Sequence, residues 1–151
     1  MNISWDEYFI NIAKQVATKS KDPSSKVGCV MVSGDNRPIS FGYNGFVSGC
    51  DESEMTQERP LKYHLVIHAE MNALMFAGGT VKGSKVYATH GPCENCLKHL
   101  MQAGVKEIIY EKPGIMKERG TPDQREAIKR LLNSKDVICR NVNGTNYLNE
   151  I

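Results

Sequence analysis

The spacing of apolar residues along the chain predicts helices and strands in alternation. Ser4 and Glu7 form a capping-box pattern that opens a first helix, which ends before Asp22 and Pro23. An apolar stripe at helical spacing follows the start of this helix, and we interpret it as core. Its members are Trp5, Phe9, Ile12, Ala13 and Val16.

Short apolar runs bounded by turn residues predict five strands, and helical periodicity predicts three further helices. The strands are expected at residues 27–32, 39–43, 85–89, 107–110 and 137–140, and the helices at 68–77, 92–103 and 122–133. Residues 47–62 are polar and irregular, and residues 141–151 are left unassigned. This order predicts an α/β fold with one mixed five-stranded sheet and helices on both faces. Because no repeat or linker interrupts it, residues 1–151 are expected to form a single domain.

The candidate chemistry lies in two short motifs at the starts of predicted helices. His68 is followed two residues later by Glu70, and Cys93 and Cys96 stand one helical turn apart. Catalytic zinc sites keep three protein ligands and leave a fourth position for water. His68, Cys93 and Cys96 are therefore predicted to bind Zn²⁺. The positive end of a helix dipole favours the thiolate form of cysteine that zinc requires.

Glu70 is predicted to be the general acid and base. Zinc lowers the pKa of a bound water towards neutrality, so hydroxide becomes available as a nucleophile. Glu70 can face the same cavity without binding the metal. From there it can carry protons from the zinc-bound water to a ring nitrogen of a substrate base and to the ammonia that leaves that base. This pairing of motifs is the signature of zinc nucleobase deaminases. A structural zinc knuckle stays open as an alternative, as does a fourth ligand from His90, Cys29 or Cys50.

Composition narrows the function classes. The 151 residues are 40% hydrophobic and 24% charged, which fits one compact domain with a core. A net charge of +2 favours no nucleic acid partner, and no apolar stretch or signal peptide indicates a membrane partner or export. Five cysteines, an odd count, are typical of a reducing compartment. The protein is therefore expected to act in the cytoplasm on a small molecule.

The chain resembles the deoxycytidylate (dCMP) deaminases of the cytidine deaminase-like superfamily. The resemblance covers most of residues 5–110 and rests on four blocks, which are residues 22–29, residues 42–45 with 49–51, residues 62–73 and residues 91–96. The zinc motifs are common to the superfamily, whereas the loop Gly42, Tyr43, Asn44, Gly45 and the segment leading to His68 are more particular to dCMP deaminases. The resemblance implies a three-layer α/β/α sandwich and hydrolysis of dCMP to dUMP and ammonia, which supplies the precursor of thymidylate.

The resemblance also implies regulation and assembly. Such enzymes are commonly hexamers that dCTP activates and dTTP inhibits, with Mg²⁺ accompanying the triphosphate. The regulatory site is associated with Gly42, Tyr43, Gly45 and the continuation towards Asp51. A homo-oligomer with dCTP and dTTP as effectors is therefore expected.

Several polar residues are candidates for substrate binding. Asn44 lies in a glycine-flanked turn, where its amide can bond a sugar hydroxyl or a pyrimidine edge, although it could merely adopt a left-handed turn. Ser24, Ser25 and Lys26 form a hydroxyl-and-amine loop suited to a phosphate. The full set of expected contacts is Ser24, Ser25, Lys26, Asn44, Ala69 and His90, with Lys117 and Arg119 as a second phosphate candidate.

The chain departs from the family pattern at His90, at Cys29 and over residues 111–116, which commonly border the base. A second, structural zinc using Cys50 and His64 is a further alternative. Deamination of tRNA adenosine or of free cytidine is the runner-up function. From a different class, the chain could be a zinc-stabilised nucleotide-binding module without catalysis, and Glu70 is the feature that discriminates against it.

Overall fold

Five strands form one mixed sheet at the centre of the computed structural model, which describes residues 2–151. They are β1 (Gly28–Val32), β2 (Pro38–Tyr43), β3 (Lys85–His90), β4 (Glu107–Lys112) and β5 (Ile138–Asn141). The sheet order is β2-β1-β3-β4-β5. β1 pairs antiparallel with β2 and β3, and the β3-β4-β5 part is parallel. The predicted mixed five-stranded sheet is therefore confirmed.

Helices cover both faces of the sheet. They are α1 (Trp5–Ala17), α2 (Lys62–Leu65), α3 (Ala69–Met75), α4 (Glu94–Gln102), α5 (Ile115–Arg119) and α6 (Pro122–Ser134). α1 packs on one face against Val30 and Val32 of β1, whereas Cys29 and Met31 of the same strand face the cluster that contains α3, α4 and α6. Every residue of β1 is buried, as expected for a strand with helices above and below it. The three-layer sandwich is confirmed.

The first helix differs from its prediction at one residue. The Ser4 hydroxyl accepts a hydrogen bond from the Glu7 amide at 3.1 Å, so the capping half of the predicted box is formed. Phe9 and Ala13 are fully buried as predicted. Placing Trp5 in the core was wrong, because its indole is 55% exposed and stacks on the Phe9 ring from outside, with centroids 5.7 Å apart.

The C-terminal tail, which carried no sequence prediction, packs against the second zinc motif. A short 3-10 turn spans Tyr147–Asn149, and Tyr147 is fully buried. Its hydroxyl donates to the carbonyl oxygen of Pro92 at 2.6 Å. The tail therefore supports the turn that precedes Cys93. Between residues 2 and 151, no helix is long and apolar enough to cross a membrane.

Gly42 allows β2 to lie against the start of α3. A Cβ atom at this position would lie 2.2 Å from the carbonyl oxygen of Ala69 and 2.4 Å from the amide nitrogen of Ala73. Backbone atoms cannot move aside as a flexible side chain can. We therefore expect Gly42→Ala to lower the free energy of unfolding by about 1–3 kcal/mol in urea titrations.

Gly45→Ala is the matched control, since nothing lies within 4 Å of a Cβ there and its φ is not positive. Its effect should stay within about 0.5 kcal/mol. Equal losses in the two variants would contradict the packing argument.

Candidate active site

The two zinc motifs meet where α3 and α4 begin. His68 is the N-cap residue of α3 and Cys93 is the N-cap residue of α4. The Nδ1 atom of His68 lies 3.3 Å from Sγ of Cys96 and 3.5 Å from Sγ of Cys93. All three donor atoms lie within 4.8 Å of one another. Two sulfurs and one imidazole nitrogen at this spacing fit a tetrahedral zinc ion with one position left over.

The three donor groups shift one another's pKa values. A hydrogen bond with Cys96, together with its contact to His68, lowers the pKa of the Cys93 thiol to about 4. The hydrogen bond with Cys93 in turn raises the pKa of His68 to about 9. The hydrogen bond with Cys93, followed by burial, raises the pKa of the Cys96 thiol. Zinc binds cysteine as the thiolate, so a lowered pKa favours the form of Cys93 that can act as a ligand.

The group of three donors does not extend to the alternative ligands. Within residues 2–151, His68, Cys93 and Cys96 are the only histidine, cysteine or carboxylate donors that converge in a group of three or more. His90, Cys29 and Cys50 therefore do not supply a fourth protein ligand. Cys50 and His64 likewise belong to no such group among these residues.

Glu70 lies beside this group without joining it. It is the second residue of α3, it is 5% exposed, and it lines the same cavity as His68 and Cys93. Burial raises the pKa of its carboxyl above the usual range. A buried carboxyl with a raised pKa can both accept and return a proton near neutral pH.

The cavity around Glu70 has a volume of about 190 Å³. Most of the residues predicted to contact substrate line it, and these are Ser24, Ser25, Asn44, Ala69, His90 and Arg119. The structure does not bring Lys26 or Lys117 into the cavity, since both side chains are exposed outside its lining. Arg59, which carried no prediction, lines the cavity instead.

Two of the lining residues have defined local states. Burial, followed by the charge of Lys112, lowers the pKa of His90, so its imidazole is neutral at physiological pH. Asn44 is only 7% exposed, and its side-chain amide accepts from the Val27 amide and donates to the Ser25 carbonyl, each at 2.9 Å. Asn44 does not adopt the left-handed conformation, which Asn36 alone does among the described residues other than glycine.

A buried ion pair in the cavity wall was missed by sequence reasoning. Asp22 is 7% exposed and Lys62 is 5% exposed, and the ammonium lies 3.1 Å and 3.0 Å from the two carboxylate oxygens. The residues are 40 positions apart, so no local pattern reveals the pair. The available signal was that each residue stands at the start of a block that carries the family resemblance.

A second cavity of about 390 Å³ adjoins the first. Tyr43 and Gly45, two of the predicted regulatory residues, line it together with Lys19 and Lys21.

The other two predicted regulatory residues lie outside this lining. Gly42 instead faces α3. Asp51 lies outside this lining, and its carboxylate caps a 3-10 turn by accepting from the Ser53 amide at 3.0 Å. Asp22 and Asn44 line both cavities.

The chain is similar to several known proteins. A family model described as the cytidine and deoxycytidylate deaminase zinc-binding region matches residues 3–112. Human deoxycytidylate deaminase is 37% identical over 145 residues, which cover 91% of this chain and 79% of that protein. Mouse deoxycytidylate deaminase is 42% identical over 115 residues, and the match covers 72% of this chain but only 65% of the mouse protein.

Solved structures agree with the sequence relatives. The crystal structure of dCMP deaminase from the cyanophage S-TIM5 in complex with dCMP and dUMP matches with a TM-score of 0.71 at 26% identity. The match covers 94% of this chain and 99% of that chain. Because the family model matches most of the chain and spans both donor motifs, this protein belongs to the cytidine and deoxycytidylate deaminase zinc-binding family.

Proposed function

We propose that this protein is a zinc-dependent deaminase that converts dCMP and water to dUMP and ammonia. The convergence of His68, Cys93 and Cys96 beside a buried carboxyl that is not a ligand carries the proposal. The similarity to deoxycytidylate deaminases of human and mouse, and to a phage enzyme crystallised with dCMP and dUMP, favours dCMP as the substrate. A single deaminase domain over residues 1–151 and action in the cytoplasm are part of the proposal, and five unpaired cysteines support a reducing compartment.

In this mechanism Glu70 moves the protons. His68, Cys93 and Cys96 would hold the zinc ion, which when bound supplies a water of lowered pKa as the nucleophile. Glu70 accepts a proton from the attacking water and delivers it to N3 of the cytosine ring as C4 becomes tetrahedral. Glu70 then takes the proton of the new C4 hydroxyl and transfers it to the amino group. The C4–N bond breaks to release ammonia, and C4 becomes the carbonyl carbon of dUMP. Burial raises the pKa of the Glu70 carboxyl, which favours its uptake of a proton from the water.

The remaining lining residues would bind the rest of the nucleotide. Ala69 and the neutral His90, which line the cavity, would contact the base, and Asn44, which also lines it, would contact the sugar. The hydroxyls of Ser24 and Ser25 remain the candidates for the phosphate. The guanidinium groups of Arg59 and Arg119 replace Lys26 and Lys117 as its cationic partners, because the arginines line the cavity and the lysines do not.

Regulation by dCTP and dTTP, with Mg²⁺ accompanying the triphosphate, is also proposed. The second cavity supports it, since it is roomy, it is bordered by Lys19 and Lys21, and it shares Asp22 and Asn44 with the first cavity. A homo-oligomer, a hexamer by family resemblance, is the proposed assembly. Exposed apolar side chains on β2 and at the end of α3, among them Phe41, Met75 and Phe76, are consistent with contacts between subunits.

Ammonia release from dCMP tests the function and the role of Glu70 together. The zinc-loaded wild type should deaminate dCMP, and Glu70→Gln should keep one zinc per chain while kcat falls by about 10²- to 10⁴-fold, because the amide cannot accept the proton. Glu126→Gln on the exposed face of α6 is the matched control and should retain full activity. Substantial turnover by Glu70→Gln would refute the mechanism, and a wild type inactive on dCMP would refute the function.

The regulatory proposal predicts opposite responses to two triphosphates. With Mg²⁺ present, dCTP should raise the rate of dCMP turnover at low substrate and dTTP should suppress it, and chelating Mg²⁺ should weaken both effects. The measurement is initial rate against dCMP concentration with each effector. Identical rates with and without the triphosphates would contradict regulation and leave the dCMP activity itself untouched.

A further inference from the structure

The buried pair of Asp22 and Lys62 lies at the centre of a hydrogen-bond network in the wall of the active-site cavity. The Oδ1 atom of Asp22 accepts from the amides of Ser24 and Ser25 at 2.8 Å and 3.1 Å. The ammonium of Lys62 contacts both carboxylate oxygens. The side-chain amide of Asn44 lies 3.5 Å from Oδ2. The carboxylate of Asp22 thus has partners on both of its oxygens.

The same network closes around the loop that follows α1. The Ser20 hydroxyl donates to the Asn44 carbonyl at 2.9 Å and accepts from the Asp22 amide at 3.2 Å. Asn44 in turn binds the Val27 amide and the Ser25 carbonyl. Residues 20–27 are therefore fixed at both ends and in the middle. Lys62 is the one member that comes from the segment leading into the zinc helix.

Burial of this ion pair demands an explanation other than stability. Removing two charges from water costs more than their attraction usually returns, and an apolar pair of similar size is often as stable. The hydrogen bonds from the amides of Ser25 and Ser24 and from Lys62 overcome the effect of burial and hold the pKa of Asp22 below its usual range. Asp22 is therefore ionised at neutral pH, and its carboxylate accepts hydrogen bonds from the amides of Ser24 and Ser25.

The position of the loop that carries Ser24 and Ser25 indicates which part of the substrate the network would influence. Ser24 and Ser25 line the cavity, as do Arg59 and Arg119. The donor group and Glu70 occupy the part of the cavity where the cytosine amino group must react. The loop and the two arginines are left to receive the sugar and the phosphate.

We propose that Asp22 and Lys62 are positioning residues that hold the Ser24–Ser25 loop in place for the 5′-phosphate, and so set the preference for dCMP over deoxycytidine. Lys62 acts through Asp22, whose carboxylate accepts from the two loop amides and so fixes the backbone that carries the serine hydroxyls before substrate arrives. Preorganised donors need no rearrangement on binding, so the phosphate gains affinity that the nucleoside cannot. This inference rests on the proposed function, since it concerns how the same cavity recognises a nucleotide.

Binding in a protein that cannot turn over separates this role from catalysis. In the zinc-loaded Glu70→Gln background, calorimetry with dCMP and with deoxycytidine gives the ratio of the two affinities. Asp22→Asn and Lys62→Met should each weaken dCMP binding by about 10- to 100-fold. Deoxycytidine binding should change by less than about threefold, and zinc content should stay at one per chain. Lys62→Arg can still pair with Asp22 and should restore most of the preference for dCMP.

Asp22→Asn distinguishes positioning from direct contact. If Lys62 itself were the phosphate ligand, removing the Asp22 charge would free its ammonium, and dCMP affinity would hold or rise. That result overturns the inference, as does an equal loss of affinity for both ligands. A parent protein that fails to prefer dCMP over deoxycytidine overturns it as well.

Two further variants guard against a simple folding defect. Asp22→Glu keeps the charge but lengthens the side chain by one methylene. The folded variant should therefore still lose affinity for dCMP while its affinity for deoxycytidine is unchanged. Asp6→Asn breaks the half-buried pair with Arg140, which joins α1 to β5 away from the cavity lining. It should lower the stability of the protein without changing the ratio of the affinities for dCMP and deoxycytidine. Turnover of dCMP by the enzyme with Glu70 intact decides the proposed function separately, so the two failures are distinguishable.

Discussion

The structure depends on the convergence of one imidazole nitrogen and two thiol sulfurs at the starts of two helices. His68 caps α3 and Cys93 caps α4, and both helices lie on the same face of the sheet. Helix N-termini favour anions, so they stabilise the thiolates that a zinc ion requires. The strands of the sheet hold the starts of these two helices close together, so that the three donor atoms lie within 4.8 Å of one another.

Other features of the fold hold these two helix starts in place. The missing side chain at Gly42 lets β2 approach α3 at backbone contact. The hydroxyl of Tyr147 binds the Pro92 carbonyl, and its ring leaves room for nothing larger than glycine at position 91. A residue near the end of the chain therefore stabilises the second zinc motif, and the sandwich acts as a rigid support for the donor atoms.

The features that could be predicted from the sequence are those that periodic spacing or a short contiguous motif marks. The strands and long helices follow from apolar spacing, and the predicted β3 at 85–89 differs from the observed Lys85–His90 by one residue. The zinc donors and Glu70 were identifiable because each motif is compressed into a few residues. In contrast, the short helices α2 and α5 have four and five residues, which is too few to show a helical period.

Most of the omissions concern contacts between distant segments. Lys26 was expected at the phosphate because it is next to Ser25, and this stays a prediction, since its side chain is exposed outside the cavity lining. Arg59 lines the cavity from a segment more than thirty residues away. The pairing of Asp22 with Lys62 and the burial of Tyr147 likewise depend on tertiary structure. Trp5 has the spacing of a core residue, yet it lies at the first helical residue and stacks on Phe9 from outside.

X-ray absorption at the zinc edge of the loaded protein tests the central claim most directly, because it reports the ligand set around the metal. We expect two sulfur neighbours at about 2.3 Å and two nitrogen or oxygen neighbours at about 2.0 Å, with outer scattering from a single imidazole. That result corresponds to His68, Cys93, Cys96 and one exchangeable non-protein ligand. A third sulfur or a second imidazole would mean that the coordination sphere is closed by the protein, and it would contradict a catalytic zinc with Glu70 as its proton carrier.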